Sequence, residues 1–130
     1  MTSYRTDRSR ARGLGAAKHG VGAWIGERVT SVALVPLVLW AVYSGLVLAM
    51  APYQRAVAWA HSPLNAVLTV LLLAVGFWHM HAGLRVVVED YIQGALLKAG
   101  VLLVNLFVCV LGGALAIFCV LKVALTGGIY

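Results

Sequence analysis

The sequence predicts an all-α membrane protein of three transmembrane helices, up-down-up, forming part of a multi-subunit helical bundle. Three observations carry that expectation. Of 130 residues, 62% are hydrophobic and only 11% are charged, whereas soluble domains are roughly 25% charged. Three apolar runs stand at about 27–50, 63–88 and 99–125, each long enough to cross a ~30 Å hydrocarbon layer as a helix. The breaks between them, 51–62 and 89–98, hold Pro52, Arg55, Glu89, Asp90 and Lys98. The chain divides into an N-terminal segment, 1–26, and a three-helix anchor, 27–130. Three helices make little core of their own, so partner subunits are expected.

The N-terminal segment is polar and arginine-rich to about residue 13. Leu14, Ala17, Val21, Trp24 and Ile25 then recur at helical spacing, which fits a short helix lying in the membrane interface. The net charge is +6, but six of the ten basic residues (Arg5, Arg8, Arg10, Arg12, Lys18, Arg28) precede or open the first apolar run. They read as a topology signal and as partners for anionic lipid rather than for nucleic acid. The N-terminus is therefore expected in the cytoplasm, with the 51–62 loop outside, the 89–98 turn inside and the C-terminus outside. An apolar run of about 22 residues is too long for a signal peptide, whose core is ~7–15 residues.

The first span contains Pro36, tolerated in membrane helices because neighbours can satisfy the freed carbonyl. Ala41, Gly45 and Ala49 form a stripe of small residues on it. Residues 51–62 read as a loop. The second span opens on Pro63, suited to a first helical turn. The third contains Gly112, Gly113 and Ala116 as small packing positions and Asn105 as a lone amide expected to bond across to another helix. Cys109 and Cys119 are ten residues apart in this one run. On a helix that is about 15 Å, too far for a disulfide, and they read as packing residues.

Chemistry concentrates in residues 76–91, GFWHMHAGLRVVVEDY. On a helix, Gly76, His79 and Gly83 share a face, and Asp90 returns to it three turns on, roughly 16 Å away. An ionisable group at membrane depth is a functional candidate by default. His79 between two glycines leaves room for a flat ligand such as haem. The competing reading is a histidine bonded to a neighbouring helix. His81 lies about 200° around the helix from His79, so the two cannot face one iron; with Arg85 it makes a basic pair in need of an acidic partner. Asp90 and Tyr91 read either as an interfacial anchor or as a quinone site, where the Tyr91 hydroxyl donates to a carbonyl gaining negative charge.

His79, Gly83, Asp90 and Tyr91 match the H-x3-G-x6-D-Y pattern of the small cytochrome b anchor of succinate dehydrogenase. Arg28-Val29-Thr30 resembles the R-A-T or R-L-T that opens the first helix in that family, and Arg12-Gly13-Leu14-Gly15 resembles the R-G-L-G of alphaproteobacterial members. The resemblance covers nearly the whole chain and implies a membrane anchor of succinate:ubiquinone oxidoreductase. It implies haem b shared with the larger cytochrome b anchor subunit, with His79 as one axial ligand of the iron. It implies Arg28 on a haem propionate, and Tyr91 and Asp90 at the ubiquinone site. The partners it implies are that larger anchor, the iron–sulfur subunit and the flavoprotein subunit. It also implies no catalysis by this chain alone, and a location in the bacterial inner membrane, with a mitochondrial inner membrane as second choice. Where the family often has an uncharged residue, Arg85 departs from the pattern. Two other readings stand beside this one: a haem-free structural anchor, and a small proton-conducting or transport protein using His79, Arg85 and Asp90.

Overall fold

A computed structural model describes residues 6–11 and 20–126. The order is α1 (Asp7–Ala11), α2 (Val21–Ala49), α3 (Tyr53–His61), α4 (Pro63–Tyr91) and α5 (Ala95–Thr126). Helices α2, α4 and α5 are each long and apolar enough to span a membrane, and the described residues contain no strand.

Helix α2 starts at Val21 rather than near Glu27. Gly20, with φ 104°, holds the left-handed conformation that marks the helix boundary, and its carbonyl accepts the Trp24 N–H at 3.0 Å. Gly22 and Gly26 do not interrupt the helix; their cost of about 1 kcal/mol each is smaller than that of leaving backbone groups unbonded near lipid. Of the interfacial segment expected over 14–25, residues 14–19 lie outside the described residues, while Trp24 and Ile25 belong to the first turns of α2. The helix continues through Pro36.

The segment expected to be a loop at 51–62 contains the nine-residue helix α3. Pro52 caps it in extended conformation, φ −66° and ψ 153°, and accepts the Arg55 and Ala56 N–H groups. Ala56, Val57, Trp59, Ala60 and His61 are half-buried, whereas Tyr53, Gln54, Arg55 and Ala58 are exposed. Trp59 stacks on Trp40 of α2, centroids 5.8 Å apart and planes at 19°. His61 Nδ1 lies 3.2 Å from the Ala124 carbonyl of α5.

Between α4 and α5 the turn is only Ile92-Gln93-Gly94, shorter than the expected 89–98. Lys98 closes it: its ammonium donates to the Glu89 carbonyl at 2.9 Å, placing a cation at the negative end of α4. Its backbone N–H donates to the Gly94 carbonyl at 2.8 Å, starting α5.

The α4–α5 pair interlocks through Phe77. A Cβ on Gly112 would lie 3.0 Å from Phe77 Cε1, and one on Gly113 would lie 3.3 Å from Phe77 Cγ. Only glycine lets the ring seat so closely. Gly45 of the small stripe on α2 has no such use among the described residues, because a Cβ there would meet nothing within 4 Å. Among the described residues, burial is confined to Ser44, Asn105, Cys109 and Gly113. The large apolar side chains Val32, Leu39, Leu46, Phe107 and Leu115 are all exposed. In a membrane, lipid and other helices cover such surfaces without a water-driven core.

Candidate functional site

His79 and His81 stand on one helix but have opposite hydrogen-bonding environments. His79 Nδ1 lies 2.9 Å from the Thr30 hydroxyl of α2. That oxygen is also 3.0 Å from the Gly26 carbonyl and 2.9 Å from the Glu27 carbonyl. The hydroxyl has one proton. Directing it at the ring would leave the oxygen facing two carbonyl oxygens with nothing between them. Directing it at a carbonyl turns its lone pairs toward the imidazole, and Nδ1–H then donates to Thr30. Nε2 of neutral His79 is left with a bare lone pair and has no hydrogen-bond partner among the described residues.

His81 has the reverse arrangement. The Asn105 amide nitrogen lies 3.1 Å from both the His81 Nδ1 and the His81 carbonyl. Cys109 Sγ donates to Asn105 Oδ1 at 3.3 Å. A carbonyl accepts only, so the NH2 end of the amide must face His81, and Nδ1 accepts from it. In neutral His81 the proton is therefore on Nε2, which cannot bind a metal. Asn105 makes the interhelical bond expected of it.

The surroundings of His79 suit a bulky apolar ligand. The ring lines a shallow, open groove of about 430 Å³ together with Ser31, Leu34, Val35, Val38 and Leu39 of α2, a wall that another subunit would have to close to make an enclosed site. Above and below the ring, a Cβ on Gly76 or on Gly83 would meet nothing within 4 Å. The face that the sequence assigns to Gly76, His79 and Gly83 is open in the structure.

Arg28 is exposed, with its guanidinium 5.5 Å from the centroid of the Trp24 ring one turn earlier. At 100° per residue it shares a face of α2 with Ser31, Val35 and Leu39, all of which line the His79 cleft. It stands about one turn, roughly 5 Å, beyond Ser31. Asp90 and Tyr91 end α4. The antiparallel α2–α4 pairing puts them at the same end of the bundle as Arg28. Tyr91 is 83% exposed, and neither side chain has a hydrogen-bond partner among the described residues. His79 lies twelve positions before Tyr91, about 18 Å deeper along the helix.

Arg85 pairs with Glu89 on its own helix, Nε to Oε1 2.7 Å. Exposure of 55% and 43% keeps that pair weak. Arg85, His81 and Glu89 line a cleft against Gly22, Gly26 and Glu27 that shares no residue with the His79 cleft. His61 also lies apart, toward the other end of the bundle, with its Nε2 buried and unpartnered. No group of three or more His, Cys, Asp or Glu side chains placed to hold a metal ion occurs among the described residues.

Sequence reasoning placed Thr30 in a motif but gave it no contact. A threonine inside a helix often bonds back to the carbonyls one turn earlier, and that much could have been read. Its second contact, to His79, depends on the register between α2 and α4.

The family model described as succinate dehydrogenase/fumarate reductase transmembrane subunit matches residues 2–122. The chain is also similar to proteins named succinate dehydrogenase hydrophobic membrane anchor subunit. The one from Paracoccus denitrificans is 32% identical over 107 residues, 80% of this chain and 81% of the relative. Those from Rickettsia conorii and Rickettsia bellii are 26% and 28% identical, covering 82% and 69% of this chain and 86% and 72% of theirs.

Proposed function

We infer the function from a premise that the family match supplies: the chain belongs to the succinate dehydrogenase/fumarate reductase transmembrane subunit family. It is a multi-pass membrane anchor of succinate dehydrogenase, as its relatives are named. Its finer role is to hold one side of a haem b and to complete part of a ubiquinone site. The observation that carries this is the His79 ring lining an apolar cleft, its Nδ1 on Thr30 and its Nε2 without a hydrogen-bond partner among the described residues.

Haem iron takes neutral imidazole through such a nitrogen, with the other ring nitrogen held by an acceptor. The residues present fit the group: one ligating nitrogen, open glycines along the helix, aliphatic walls on α2, and Arg28 on the cleft-lining face. When bound, haem b supplies an iron that carries one electron at a time. His79 would ligate it and fix its position, and Val35, Val38 and Leu39 would keep water away. The Arg28 guanidinium matches a propionate carboxylate in charge and in its paired donors. The larger cytochrome b anchor would hold the group from its other side, so that haem would bridge the two subunits.

Tyr91 and Asp90, exposed at the Arg28 end, would meet ubiquinone in a pocket built largely by other chains. The phenol donates to the quinone oxygen as it gains charge, and the carboxylate orients its neighbours or relays a proton. The basic segment before α2 supports a cytoplasmic side for this end, with the chain in the inner membrane of a bacterium. The flavoprotein and iron–sulfur subunits would dock there, and succinate oxidation belongs to the assembly.

The test is a dithionite-reduced minus oxidised spectrum of the purified complex with its subunits identified. We expect a b-type band in the native complex that is lost in His79→Ala and kept in His81→Ala. A complex with no such band is a haem-free anchor, and equal effects of the two substitutions refute the choice of His79.

A further inference from the structure

We propose that Thr30 is the positioning residue that selects the tautomer of His79 and fixes the ring in the cleft. This rests on the reading of His79 as a haem ligand but concerns a different residue on a different helix. The Thr30 oxygen is held at three points: the Gly26 carbonyl at 3.0 Å, the Glu27 carbonyl at 2.9 Å and His79 Nδ1 at 2.9 Å. Ser31 also donates to the Glu27 carbonyl, at 2.8 Å, which leaves the Gly26 carbonyl as the less contested acceptor for the Thr30 proton. The hydroxyl is thus committed to its own helix as a donor, and only its lone pairs are offered to the ring.

Two consequences follow for the imidazole. The proton of the neutral ring resides on Nδ1, so Nε2 is unprotonated before any metal arrives. The ring is also pinned in rotation, because Nδ1 must stay within reach of an oxygen on α2. His81, two residues on, shows what a different partner does: Asn105 offers a donor, and the proton moves to Nε2. The difference between a ligating and a non-ligating histidine on this helix is thus set by whether the facing side chain accepts or donates.

Donation from Nδ1–H to an oxygen also enriches the ring in electron density, which favours the ferric state of a bound iron. Thr30→Val keeps the shape and removes the acceptor; Thr30→Ser keeps the acceptor. In the purified complex we expect Thr30→Val to retain all subunits but to lower haem affinity by about 10–100-fold, read as haem lost on dilution or competition. We also expect a positive shift of the haem midpoint potential, with Thr30→Ser matching the native protein in both. Native haem retention and potential in Thr30→Val overturn the proposal. Pulsed electron paramagnetic resonance of the native ferric complex gives a readout independent of how well the variant assembles. A protonated remote imidazole nitrogen is expected, and an unprotonated one overturns the assignment. Loss of the haem band in His79→Ala with no effect of Thr30→Val refutes Thr30 alone, whereas an intact band in His79→Ala refutes the ligand itself.

Discussion

Replacing Asn105 with alanine should loosen the α4–α5 joint measurably while leaving the haem spectrum intact. The amide nitrogen makes two contacts with His81, each at 3.1 Å, and its oxygen receives Cys109 at 3.3 Å. The His81 carbonyl keeps its bond within α4 after truncation, so it is not orphaned. His81 Nδ1, which is part-buried, loses its donor, so the ~1–3 kcal/mol of a fully buried unsatisfied acceptor is an upper bound. Hydrogen bonds between membrane helices contribute on average ~0.6 and at most ~1.7 kcal/mol. A loss of about 1–2 kcal/mol is therefore expected, roughly a 5- to 30-fold rise in the open population. Cys109 reports on it directly, being 4% exposed and bonded to Asn105 itself. In the assembled complex, Cys109 labelling by a membrane-permeant maleimide, quantified by mass spectrometry, should rise by that factor. Asn105→Leu fills the space without the bonds and should behave alike. Unchanged labelling in both variants would show that the amide does not hold the helices together.

Two further substitutions test other joints. Tyr91→Phe removes a hydroxyl at an exposed helix end, so the haem band and subunit content should be native while quinone reduction slows by about 100-fold, the lower end of what losing one donor to a developing oxyanion costs; unaltered quinone kinetics in steady-state assays would count against this residue. Gly113→Val would drive a side chain into Phe77, already 3.3 Å from a bare Cβ position; overpacking costs about 1–3 kcal/mol, so the amount of assembled complex should fall and should recover when Phe77 is also changed to Leu.

The spans were legible because apolar length is nearly all that a membrane helix requires. The ends expected at 50, 63 and 125 fall within one residue of those observed, but the ends expected at 27, 88 and 99 do not, and at the α4–α5 turn the Lys98 ammonium on the Glu89 carbonyl accompanies a connection of only three residues. Helix α3 left a signal that was passed over, Pro52 followed by half-buried Ala56, Val57 and Ala60 at helical spacing. Period alone put Gly76, His79 and Gly83 on one face. It separated His79 from His81 by angle but could not give the protonation of either ring. That depends on Thr30 and Asn105, which lie 49 and 24 residues away and reach the rings only through the register of one helix against another.

The helices differ in how firmly they are joined, and the difference runs against the order of synthesis. Helices α4 and α5 share a three-residue turn, a phenyl ring locked over two glycines and the Asn105 bonds. Among the described residues, α2 meets α4 through one hydrogen bond, at Thr30 and His79. Helix α2 precedes that hairpin in the chain, and the side chain that ties it on is the same ring that lines the cleft against α2.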